Sequence, residues 1–86
     1  LKASRQTPLR VRSQLMGQIE RIEREIRDLD ARANEIELLF ESPEIYTDAA
    51  RSGALSEELA GLTMRSRERV IQWEALLHQL EEVTAT

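Results

Sequence analysis

No cysteine occurs among the 86 residues. That excludes disulfides and thiolate metal centres, and the single histidine, His78, leaves no donor set suited to a transition-metal site. Aromatic residues make up 3% of the chain, and there are only three Gly and two Pro. Such a composition suits long exposed helices better than a deep globular core stitched by tight turns. No apolar run approaches the eighteen residues that a membrane-spanning helix needs, and no signal-peptide pattern is present. The chain is therefore expected to be soluble and cytoplasmic. It begins with Leu1 and is expected to be one small domain cut from a longer protein. No Gly-x-x-x-x-Gly-Lys-Ser/Thr loop is present to cradle a phosphate chain. Carboxylates are abundant, but their spacing puts them on helix faces, where they are normally solvated. No catalytic residue, no metal ligand and no cofactor is assigned, and the chain is not expected to be an enzyme.

What is present is charge, and it is segregated. Residues 1–19 hold Lys2, Arg5, Arg10 and Arg12 and no acid, a balance of +4. Residues 20–50 hold four Arg and ten acids, giving -6, and residues 51–86 hold four Arg and six acids, giving -2. The net charge is -4. A basic end on an acidic body can touch phosphates, or can simply be a solvated helix end.

The strongest signal is periodic. Leu15, Ile19, Ile22, Ile26, Leu29, Ala33, Ile36 and Phe40 follow alternating steps of four and three, a heptad seam with Leu15 at d and Ile19 at a. The same steps run through Leu55, Leu59, Leu62, Ser66, Arg69, Trp73, Leu76, Leu80 and Val83. Two such helices on a short connection fold back on each other. Pairing Phe40 with Leu55, Ile36 with Leu59, Ala33 with Leu62 and so on down to Leu15 with Leu80 makes every layer an a–d pair whose residue numbers add to 95. The fold class expected is all-α: a two-helix antiparallel coiled-coil hairpin, monomeric, although a dimer could use the same seams. Residues 1–7 are expected to form a basic arm and residues 8–86 the hairpin, with helices over about 8–40 and 48–83 and a turn over about 41–47.

Local signals agree. Thr7-Pro8 reads as a cap followed by the first helical residue, and Asp48 as the cap of the second helix. Ser42-Pro43 can start a separate helical turn. Two layers are weak, at Ser66 and Arg69. Arg69 can lay its methylenes on the seam and send its guanidinium to water or to a carboxylate such as Glu25 or Asp30. The pair Ile45-Tyr46 is expected to fold back and plug the layer that would otherwise end open at Phe40, because exposed apolar side chains bury where they can.

Three stretches carry a resemblance: "QTPLR" leading into the first heptads, "ESPEIYTDAARSGALSEELAGL", and "VIQWEALLHQLEEV". Together they resemble the carboxy-terminal domain of ABC-F ATPases, nearest the YheS-type members and more distantly the Uup-related ones. The likeness spans nearly the whole chain, and the polar break at Ser66 and Arg69 departs from it. It implies a non-catalytic coiled-coil appendage to two ATP-binding cassettes, in a cytoplasmic protein that acts on ribosomes in translation. ATP and Mg would belong to those cassettes. "GALSEE" lacks the Gly pair of a cassette signature and sits inside a heptad. In Uup-like members this part binds nucleic acid, so ribosomal RNA or DNA is the implied partner. The candidate nucleic-acid contacts are Lys2, Arg5, Arg10 and Arg12 first. Arg65 and Arg67, with Arg69 beside them, come second because acids on the first helix lie near. A structural spacer or a protein-interaction hairpin is the alternative.

Overall fold

The heptad pattern demands two long helices, and two are found. The computed structural model describes residues 2–85, and the side chains of residues 8–85. Helix α1 runs Lys2–Phe40, a 3-10 turn spans Pro43–Thr47, and helix α2 runs Ala49–Ala85. The helices lie antiparallel in a rod measuring 68 × 16 × 14 Å. Among the described residues there is no strand, and no helix is long and apolar enough to cross a membrane.

The derived register holds. Ile36, Ile45, Leu55 and Leu62 form a buried cluster, with Leu29, Ala33, Leu39, Phe40 and Leu59 packed against it. These include all six residues of the three layers nearest the turn. Ile36 is fully buried. Burying an isoleucine contributes roughly 1.5–3 kcal/mol, so this cluster is a main source of stability. Farther from the turn, Leu15 and Ile19 are buried while Ile22, Ile26, Trp73, Leu76 and Leu80 are half-buried. Two helices cover only one side of each seam, so bulky groups there keep an exposed edge.

The weak layers are closed by polar contacts across the seam. Ser66 donates its hydroxyl to Asp30 Oδ1 at 2.9 Å, and Arg69 Nε donates to Glu25 Oε2 at 2.6 Å. Both pairs, and the Trp73 Nε1 to Glu23 bond at 3.2 Å, fall within one residue of the derived register. No buried polar side-chain atom among the described residues lacks a partner.

The turn is built as its residues suggest, with one correction. Glu41 and Ser42 donate their amides to the carbonyls of Leu38 and Leu39, tightening the end of α1. Pro43 opens the 3-10 turn, and Ile45 is 4% exposed, sealing the last layer. Asp48 caps α2: its Oδ1 accepts from the Arg51 amide at 3.0 Å. Tyr46 is not part of the plug. Its ring is 66% exposed, and the side chain instead reaches back to α1 through its hydroxyl. Successive residues of a tight turn point different ways, so only one of the pair can face the core.

A second correction concerns the amino terminus. Helix α1 does not start at Pro8; it begins at Lys2 and passes through Pro8. The backbone of 2–7, expected as an arm, is helical. Pro8 lacks an N–H and so cannot bond the Ser4 carbonyl. That loss falls in the second turn, past the four amino-terminal N–H groups that have no intrahelical partner in any case, so it removes one bond from the ladder.

Candidate nucleic-acid interface

The candidate cations fall into two groups, and the hairpin keeps them apart. Arg10 and Arg12 stand exposed on α1 near the open end of the rod. No ion pair among the described residues involves either. Lys2 and Arg5 belong to the same helix by backbone, but their side chains lie outside the described residues. Arg65 and Arg67 are exposed on α2. By the register they sit level with Asp30 and Asp28, about 27 and 24 Å along the axis from Arg12 at 1.5 Å per residue.

The second group is compromised only in part, since Arg67 is exposed and in no ion pair among the described residues. Arg69 is taken by Glu25, and its Nη1 also donates to Gln72 Oε1 at 3.3 Å. These residues line an open groove of about 610 Å³ together with Arg21, Ile22 and Leu76. Because its guanidinium and carboxylate satisfy each other, the groove presents no free cation from Arg69. Arg65 turns its Nε toward the carbonyl of Gly61 at 3.4 Å. Its charge also helps hold the Glu58 carboxyl below the usual range, behind the stronger effect of Arg32.

The contact missed from the sequence is that of Arg32. Its Nε and Nη2 donate to the two oxygens of Glu58 at 2.7 and 3.0 Å, and its Nη1 donates to Glu35 at 3.0 Å. The hydrogen bonds that Arg32 donates lower the Glu58 pKa, and donating to Glu58 and Glu35 raises that of Arg32. A bidentate pair of this kind fixes direction as well as distance. The signal was available: Arg32 and Glu58 both occupy g positions, which face each other in an antiparallel pair.

The fold also brings acids toward the basic end. The register sets the last turns of α2, with Glu81 and Glu82, level with Gln14 and Ser13 of α1, next to Arg12. Glu82 Oε1 lies 3.2 Å from His78 Nε2, both side chains being largely exposed. The basic end is thus less strongly positive than its linear sequence implies, yet Arg10 and Arg12 keep solvent-facing guanidinium groups.

Compared with known proteins, the chain matches no family model, no curated protein and no solved structure.

Proposed function

We propose that this hairpin is a non-catalytic appendage that contacts nucleic acid through its amino-terminal end. The observation that carries this reading is a contrast among arginines. Arg32 and Arg69 are bound to carboxylates, and Arg21, Arg24, Arg27, Arg51, Arg65 and Arg67, though in no ion pair among the described residues, stand among the acids of the rod. Arg10 and Arg12, by contrast, are exposed and in no ion pair among the described residues, at the end where four cations precede the first acid, Glu20. Unpaired guanidinium groups bind phosphate with two parallel hydrogen bonds and release counterions as they do so. The resemblance noted in the sequence supplies the setting: the carboxy-terminal domain of a cytoplasmic ABC-F ATPase, with ribosomal RNA or DNA as the ligand. We read the unit as a monomer because the three layers nearest the turn close within one chain.

The test is a titration of ribosomal RNA and duplex DNA at two salt concentrations. The parent is run beside a variant with Lys2, Arg5, Arg10 and Arg12 all changed to Gln. Binding by the parent should weaken with salt, with a logarithmic slope of about one unit per phosphate engaged. The variant should bind far more weakly at low salt. Equal binding by the two proteins, or none by the parent, leaves the hairpin as a structural spacer.

A further inference from the structure

If the amino-terminal end meets nucleic acid, the hairpin itself restricts which form and in what pose. Single strands are held by aromatic platforms on which bases stack, alongside a basic groove. The three aromatic residues of this chain are all unavailable to the basic end. Phe40 and Tyr46 sit together at the turn with ring centroids 6.0 Å apart. That is about 42 Å along the rod from Arg12 at 1.5 Å per residue. Trp73 is half-buried against α1, with its Nε1 tied to Glu23. It lies level with Ile22, about 15 Å from Arg12 along the axis.

The rest of the rod repels a polyanion. Past the basic end, residues 20–50 carry -6 and residues 51–86 carry -2. Those balances already include every arginine of the rod, and two of these, Arg32 and Arg69, are spent on Glu58, Glu35 and Glu25. A duplex carries one negative charge per about 1.7 Å of axis, so laying the acidic body along it would be costly. A duplex also offers a few cations far more phosphates within reach than one flexible strand does.

From these placements we infer that the hairpin binds double-stranded nucleic acid end-on, gripping the phosphate backbone with its amino-terminal turns while the acidic rod and its turn project away. This rests on the function proposed above and adds the ligand's form and the pose. The number of phosphates engaged is capped by the four cations, so the salt slope has a magnitude of about 4 or less.

The absence of native cysteine makes the pose measurable. A donor dye is placed at Ser42→Cys in the turn or, separately, at Gln14→Cys near the basic end. A 12-base-pair duplex, in DNA and RNA versions, carries an acceptor at its centre. The expected result is binding to duplex about fivefold or more tighter than to either separated strand. Energy transfer should be efficient from position 14 and weak from position 42. Tighter binding to the single strands, efficient transfer from position 42, or a slope well above 4 overturns this inference while leaving the proposed function intact. Absence of binding to any of these ligands at low salt removes the proposed function, and this inference with it.

Discussion

Tyr46 donates its hydroxyl to the backbone carbonyl of Phe40 at 3.0 Å while its ring faces solvent. The residue before it, Ile45, is buried in the last core layer. One turn thus supplies both a plug and a C-terminal cap for α1, from adjacent side chains pointing in opposite directions.

The two roles separate by mutation. Ile45→Ala opens a cavity beside Ile36 and Leu55 and should cost about 3 kcal/mol. Tyr46→Phe keeps the ring and leaves an exposed carbonyl that water can serve, so it should cost less than about 1 kcal/mol. Tyr46→Ala also loses the contact with Phe40 and should cost about 1 kcal/mol. Urea midpoints of the three variants check this order. Equal losses for Ile45→Ala and Tyr46→Ala would show that the turn is packed differently.

The Arg32–Glu58 pair makes a pH-dependent contribution whose sign follows from its geometry. Glu58 has a lowered pKa in the fold, caused first by its hydrogen bonds from Arg32. The unfolded state therefore takes up the proton first as pH falls. The stabilisation is fully present above the ordinary glutamate pKa of about 4.3, and it is lost as pH drops through the lower folded value. Arg32 stays charged throughout. Denaturation midpoints should fall between pH 6 and pH 3 by more in the parent than in Arg32→Gln. The difference between the two should shrink in high salt, because both side chains are partly exposed. Identical pH profiles would mean that the pair makes no net contribution.

Trp73 fills the layer next to the polar Ser66 and Arg69 positions, but it does so half-buried. Full burial of an indole is worth 3–5 kcal/mol on truncation, so Trp73→Ala should cost roughly 2 kcal/mol here. Trp73→Phe retains most of the apolar contact and loses the bond to Glu23, so its cost should be smaller. Thermal melts followed by far-ultraviolet circular dichroism measure both without relying on the tryptophan signal. An unchanged melting temperature in Trp73→Ala would mean that the seam runs elsewhere.

Much of this molecule follows from spacing alone. Uninterrupted heptads put side chains seven residues apart onto the same stripe, so two stripes in matching phase meet only in antiparallel registers that differ by whole heptads, and the short connection selects one. The three inter-helix layers nearest the turn and the Asp48 cap were legible for that reason, and Glu25 was one of the partners open to Arg69. Each depends on period and local chemistry, which the chain carries in linear order. The start of α1 was not, because Thr7-Pro8 is a sound local start signal and the helix nevertheless begins six residues earlier, at Lys2. Nor could linear order tell that Ile45 rather than Tyr46 enters the core, that Arg32 reaches Glu58, or that Glu81 and Glu82 come to flank the basic end. Those outcomes depend on which way side chains point once α2 has folded back. They join residues separated by up to some seventy positions, and only the closed hairpin makes such pairs neighbours. The same folding decides the electrostatics of the candidate site: charge was segregated by sequence, but which arginines remain unpaired was settled by the partners that the second helix brought to them.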